Sequence, residues 1–272
     1  MTAPRSDQPV PMLKATRTVL RLSLRGLARN RRSAFLVLLL GLPVLIALVQ
    51  RLAARSQAHG ADLYGLLVAG YYVGSFVPFV GKALPLAALF FAAALISDEV
   101  EGRTLVYFLT RPIPRASVVV GKFAAALVWT MGAACVSLVL VFALTTPSFS
   151  AALQTTPRLL RDLAVAFAAL ASYGALFALL GVLLRRPLLP GILFLYVWEW
   201  LARITQASSH LTLGTALESL LSRDTLPRRL AWLMSRNTVP LGESLAVVTL
   251  VTLGGVVLAS YLFSRREYAS DR

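Results

Sequence analysis

Cysteine and histidine are nearly missing from this sequence: its 272 residues include one cysteine, Cys135, and two histidines, His59 and His210. A single cysteine excludes an intrachain disulfide framework. Neither histidine has a cysteine or a cluster of carboxylates beside it, and the His-Glu-x-x-His pattern is absent, so no metal-ligand spacing occurs. Both histidines also lie outside the apolar runs, which removes the Ser–His pair that an intramembrane serine protease needs on facing helices. A phosphate-binding Gly-x-x-x-x-Gly-Lys-Ser/Thr is missing as well. Gly81-Lys82 and Gly121-Lys122 are followed by Ala83 and Phe123, and neither has the upstream glycine. The chain is therefore expected to bind no ATP, no other cofactor and no metal of its own, and to carry no catalytic residue. Negative charge is scarce, with 12 Asp and Glu against 27 Lys and Arg.

What fills the sequence instead is apolar. Hydrophobic residues make up 57% of it and charged residues 14%, with a mean hydropathy of +0.73, outside the range of soluble domains. The length suits one membrane domain without a separate catalytic one. In a soluble protein a formal charge of +15 would point to nucleic acid. Here the basic residues sit at the ends of apolar runs, where they act as topology signals, and no nucleic-acid partner is expected. Roughly thirty mostly polar and basic residues precede the first apolar run, which is not the pattern of a cleaved signal peptide.

Taken in order, residues 1–32 form an N-terminal segment whose second half is helical. Arg17, Arg21, Arg25 and Arg29 recur every four residues, while Leu13, Leu20, Leu24 and Leu27 mark another face. That is the signature of a helix lying in the membrane interface with its arginines on anionic headgroups, each contributing on the order of 1 kcal/mol. Six spans are predicted across residues 33–264, over 33–49, 76–96, 118–144, 159–184, 188–203 and 244–263. The first is short and interrupted by Gly41 and Pro43, with a polar loop over 50–62. Residues 63–96 are longer than one span requires, and read as one long, broken helix whose first part, 64–72, lies at the outer surface or re-enters the membrane. Two spans there would leave little room for a turn. Lys82 falls inside this run, and snorkelling to the outer boundary is favoured over a place in a substrate path. Residues 145–158 read as an outer loop. Gly254-Gly255 offers the last helix a site of close approach. Polar side chains deep in the spans are few, namely Thr130, Ser137, Ser172 and Tyr173. With the N-terminus inside, most Lys and Arg residues flank the spans on the cytoplasmic side, where the tail 265–272 also lies.

Between the second and third spans runs a charged segment, Ile96 to Lys122. Asp98 and Glu101 have capping-box spacing ahead of an apolar run. Val100, Thr104 and Phe108 share one face, while Asp98, Glu99, Glu101 and Arg103 take the others. Pro112 and Pro114 end the helix near Thr110. The expectation is a short amphipathic helix on the membrane surface, with an ordinary solvated loop as the alternative.

This segment resembles the loop between the second and third spans of ABC-2 type transporter permeases. The resemblance is carried by Asp98-Glu99, Gly102-Arg103-Thr104-Leu105, Thr110-Arg111-Pro112-Ile113-Pro114-Arg115 and Gly121-Lys122. It covers about a tenth of the chain, and the rest agrees in helix count and order. It implies an all-α membrane protein of six transmembrane helices, with an N-terminal interfacial elbow helix and a short cytoplasmic coupling helix, around Asp98–Leu109, in a coupling loop over 97–117. It also implies a prokaryotic cell-membrane location with both termini inside, a separate P-loop ATPase subunit carrying ATP and magnesium, and a second permease copy or paralogue. Asp98, Glu99, Glu101, Gly102, Arg103, Thr104, Leu105, Arg111, Pro112, Pro114 and Arg115 would then relay the motion of the ATPase, making the complex an exporter. The alternative is a non-transporting membrane scaffold, or a subunit that passes force to an external partner. Arg103, between Gly102 and Thr104, departs from the family pattern and bears on partner choice.

Two outer features complete the inventory. Glu199 between Trp198 and Trp200 reads either as an interfacial anchor already in water or as a carboxylate at the outer mouth of a translocation path, paired with Arg203 at i+4. Permeases of the family it resembles can carry an acidic residue there. In the long outer loop 204–242, Thr215 with Glu218 and the stretch after Pro227 read as surface-lying helices. They would gate the exit, dock an extracytoplasmic partner, or form a lid.

Overall fold

The structure is a computed structural model that describes residues 12–30, 32–57, 67, 70–93, 115–146, 148–184, 186–198, 201, 212–220 and 239–265. Among them there is helix and no strand, as the apolar runs require: in lipid, backbone groups are satisfied within a helix or not at all. We number the helices α1 (Met12–Arg29), α2 (Arg32–Gln57), α3 (residues 70–93), α4 (Arg115–Thr145), α5 (Phe149–Leu183), α6 (Leu188–Trp198), α7 (Leu213–Leu220) and α8 (Leu241–Arg265). Four of them, α2, α4, α5 and α8, are long and apolar enough to cross a membrane. The two other expected spans are represented by shorter apolar helices, Phe79–Ala93 and Leu188–Trp198.

A tight turn joins α1 to α2. The Arg32 N–H donates to the Asn30 side-chain oxygen at 3.1 Å, the Ser33 N–H donates to the Asn30 carbonyl at 2.9 Å, and the Ser33 hydroxyl donates to the Leu27 carbonyl. From there α2 passes through Gly41 and Pro43 without stopping and runs to Gln57, past the expected end at Val49. Two contacts with α4 account for this. The Ser137 hydroxyl donates to the Leu40 carbonyl at 2.6 Å, one residue from the Leu39 carbonyl that Pro43 leaves without its helical donor. Further along, the Arg51 guanidinium donates to the Ala143 and Leu144 carbonyls at 3.0 and 2.9 Å, so a residue read as loop caps the end of α4.

In α3 the ladder is π-helical over Gly70–Phe76, Phe79–Ala83 and Leu89–Ala93, with an α-helical turn at Leu84–Ala88. These π turns bracket Pro78 and Pro85, whose missing N–H groups break the regular register. The expected break is therefore a change of helical pitch within residues 70–93, not an interruption.

Helix α5 begins ten residues ahead of the predicted span, because Ser148 caps it by accepting from the Ala151 N–H. Residues 149–158, expected in a loop, are helical through Pro157.

Helix α4 is the axis. It packs on α1, α2, α3, α5 and α8, and the main core fills the space among α2, α3, α4 and α5, with Phe76, Phe79, Leu138, Leu170 and Phe177 wholly enclosed. Against α5, α8 makes the close approach that its glycines promised. A Cβ on Gly255 would lie 3.1 Å from the Ala175 Cβ and 3.2 Å from its carbonyl oxygen, whereas one on Gly254 would meet nothing within 4 Å. Gly255→Leu is therefore expected to overpack the α5–α8 contact and cost about 1–3 kcal/mol. Gly254→Leu should change stability by under about 0.5 kcal/mol. Thermal unfolding of the two purified variants in the same detergent checks the contrast.

Candidate functional site

The end of the bundle that carries α1 is also the end at which the charged segment enters α4. Of the predicted coupling residues, Asp98, Glu99, Glu101, Gly102, Arg103, Thr104, Leu105, Arg111, Pro112 and Pro114 lie outside the described residues, and Arg115 is the first residue of α4. What the structure shows is the seat to which that segment is attached. Ala15 and Val19, one turn apart on α1, are buried at 3% and 2% exposure. They press on α4 at Gly121, where a Cβ would stand 2.9 Å from both the Thr16 carbonyl oxygen and the Val19 Cβ. The glycine of the Gly121-Lys122 pair is thus a contact between two helix backbones, and Lys122 beside it is buried. Around the same end of α4, Val118 and Val119 join Val182 of α5 and Ala259 and Phe263 of α8 in a second apolar cluster.

The four arginines expected on a membrane surface, Arg17, Arg21, Arg25 and Arg29, are all exposed along α1. They lie away from the Ala15–Val19 face that grips α4, so the helix has one apolar contact and one basic side. At the described level α1 is an amphipathic helix packed on the bundle.

At the opposite end three contacts tie the helices together. The Tyr71 hydroxyl of α3 donates to Asp162 Oδ2 of α5 at 2.7 Å, both groups being buried. Arg161 donates to the Leu220 carbonyl at 3.3 Å, and the Ser219 and Ser244 hydroxyls hydrogen-bond to each other. The helix so held, α7, was expected to lie on the surface. Instead Leu213, Gly214, Thr215, Ala216, Leu217, Glu218 and Leu220 are all buried. It is inserted against α5 and α8, and its first turn is closed by the Thr212 and Thr215 hydroxyls at 2.7 Å, one turn ahead of the expected cap. Its apolar residues, Leu213, Ala216, Leu217 and Leu220, share one face, with Thr215, Glu218 and Ser219 opposite, so no local signal announced burial on all sides. The stretch after Pro227, and Glu199 and Arg203 with their two readings, lie outside the described residues.

Between the two ends the interior is closed. Thr130 and Ser172 turn their hydroxyls back to the Ala126 and Ala168 carbonyls at 2.8 Å each, Ser137 is spent on α2, and Tyr173 is 1% exposed. The cavities at Tyr173–Glu218 and at Phe123–Thr130 measure about 10 Å³ each, room for about one water. Neither of these two cavities is large enough to be a channel.

The sequence does not announce the Tyr71–Asp162 pair, since its partners stand 91 residues apart. Tyr71→Phe, which removes a hydrogen bond from the buried carboxylate, should destabilise the chain by roughly 1–3 kcal/mol. Asp162→Asn, which keeps an acceptor for the hydroxyl, should cost less. Melting temperatures of the two variants in detergent report the order.

No curated protein matches the chain. A protein-family model does, that of the ABC-2 family transporter protein, over residues 27–198. The match runs from the last three residues of α1 to the end of α6 and includes the charged segment and Gly121, but not Thr16 and Val19. Covering well over half of the sequence, it places this chain, an integral membrane protein, in the ABC-2 family of transporters.

Proposed function

We propose that the chain is the membrane subunit of an ATP-driven exporter whose ATPase is a separate polypeptide. The single observation behind this reading is the construction of α4. It starts at Arg115, directly after the segment that bears Asp98, Glu99 and Glu101. It runs 31 residues without a proline, about 46 Å, against a hydrocarbon core of about 30 Å. Over that length it touches every long helix of the bundle. A soluble motor pulling on residues 97–114 would move α4 as a rod, and α1 with it through the Gly121 contact. ATPase contacts that differ between nucleotide states supply the differential free energy such coupling requires.

The closed interior bears on where cargo passes. With Thr130, Ser137 and Ser172 hydrogen-bonded to helix carbonyls inside the bundle, we place the path on a surface between this chain and a second copy or paralogue. A cargo that tolerates apolar walls suits it better than a small ion. In this arrangement α1 and both termini are cytoplasmic, the arginines of α1 rest on anionic headgroups, and the Tyr71–Asp162 end faces outward, in a prokaryotic cell membrane. A subunit that relays force without passing cargo has the same closed interior, and only transport separates the two.

The test is charge reversal. Glu99→Lys with Glu101→Lys should insert into the membrane in the same yield as the parent chain. Captured from native membranes, the double variant should bring down at least about tenfold less ATP-hydrolysing activity, since like charges facing each other across an interface cost several kcal/mol. Undiminished ATPase capture would remove residues 97–114 from the mechanism.

A further inference from the structure

Lys82 is a cation inside a membrane helix that the packing of the bundle does not use. It lies in the π-helical turn Phe79–Ala83 of α3, whose Phe79, Val80 and Ala83 are buried while Lys82 itself is exposed. Its ammonium stands 4.9 Å from the centroid of the Tyr196 ring, in the π-helical turn Phe194–Trp198 of α6. Tyr196 is 45% exposed. No carboxylate among the described residues is paired with Lys82. Two helical irregularities thus meet at one charge, and such bulges gather at functional sites.

The depth of this contact follows from its neighbours. Gly81 lines the same cavity as Tyr173, and Tyr173 stands ten residues from the end of α5 at Leu183, a rise of about 15 Å. That is half of a hydrocarbon core of about 30 Å. Tyr196 is eight residues from the start of α6 at Leu188, about 12 Å. With Leu183 and Leu188 taken at one hydrocarbon boundary, the ammonium laid over the Tyr196 ring falls near mid-depth. Around it the exposed residues of α6 are apolar, Leu189, Leu193, Val197 and Trp198 among them. At that depth hydrocarbon opposes an ammonium by more than one aromatic face returns, and no described residue adds a negative charge to it, so the site suits an anion.

We propose that Lys82 and Tyr196 form a binding site for the anionic head of an amphiphile, of the phosphate or carboxylate class. The ammonium takes the charge, the ring of Tyr196 holds the ammonium in place, and the exposed apolar face of α6 takes the tail. A small free anion fits less well: it would give up its water for a single cation among apolar side chains, with no apolar surface of its own to bury. The inference deepens the proposed function by naming the class of cargo. It rests on that reading for transport, while binding needs only that the chain spans the membrane.

Native mass spectrometry of the full-length chain in detergent tests the site without ATP or an ATPase. The probes are phosphatidylglycerol, phosphatidylcholine with the same acyl chains, and inorganic phosphate. The parent chain should retain phosphatidylglycerol about tenfold better than phosphatidylcholine, as a single charge-assisted contact implies. Lys82→Met should bring the two lipids to parity. Lys82→Arg and Tyr196→Phe, which keep the charge and the ring face, should preserve the preference. Equal retention of both lipids by the parent chain, or an undiminished preference in a Lys82→Met chain that melts like the parent, would overturn the site. Loss of the preference in Lys82→Arg would also overturn it. Inorganic phosphate held in a Lys82-dependent way, with no lipid preference, would assign the site to a free anion and overturn the amphiphile. Loss of ATPase capture leaves this lipid preference untouched, so the two readings fail separately.

Discussion

One close contact governs the rest of the structure: the backbone of α1 lies against α4 at Gly121, with no room for a side chain between them. A tight hydrogen-bonded turn locks α1 to α2. Through Gly121 the same helix is locked to the helix that follows the charged segment. Val118 and Val119 add α5 and α8 at that level. The first turns of α4 are thus gripped from several sides, within a few residues of where the segment enters. A displacement there has no soft element in which to dissipate, because close-packed helices shift as bodies and do not deform continuously.

The opposite end is built on different chemistry. Hydroxyl, carboxylate and guanidinium groups hold it, through Tyr71 on Asp162, Arg161 on the end of α7, and Ser219 on Ser244. Arg161 and the Ser219–Ser244 pair act at the end of α7 and the start of α8, where backbone groups lack partners, while Asp162 lies within α5. Between the two ends polar groups are few and turned inward. The bundle therefore behaves as a solid body with one apolar joint and one polar clasp. On the proposed function cargo uses an outer face, and Lys82 lies exposed on such a face.

How far the sequence foretold this depends on whether the determining partner is near in the chain. The spans expected at 118–144 and 244–263 are helices Arg115–Thr145 and Leu241–Arg265, because continuous apolar runs set them locally. The end of α2 was not legible, since Arg51 is helical by virtue of carbonyls on another helix, 92 and 93 residues away. The start of α5 was legible in principle at Ser148, a good cap, but the Thr, Ser and Pro that follow it outweighed that signal. Burial of α7 depends on α5 and α8, which a capping pattern at Thr215 and Glu218 does not reveal. In the candidate site the Gly121-Lys122 pair could be recognised from its motif, but its physical reason, the approach of Thr16 and Val19, comes only with the packed helices.

The account stands on α1 and the charged segment sharing one side of the membrane with cellular ATP. The direct measurement is impermeant thiol labelling of single cysteines placed by Arg21→Cys and by Glu101→Cys, each in a chain whose Cys135 is replaced by alanine. Both positions are predicted to label only when the cytoplasmic face is opened to the reagent. Labelling of either cysteine from outside intact cells would contradict the arrangement.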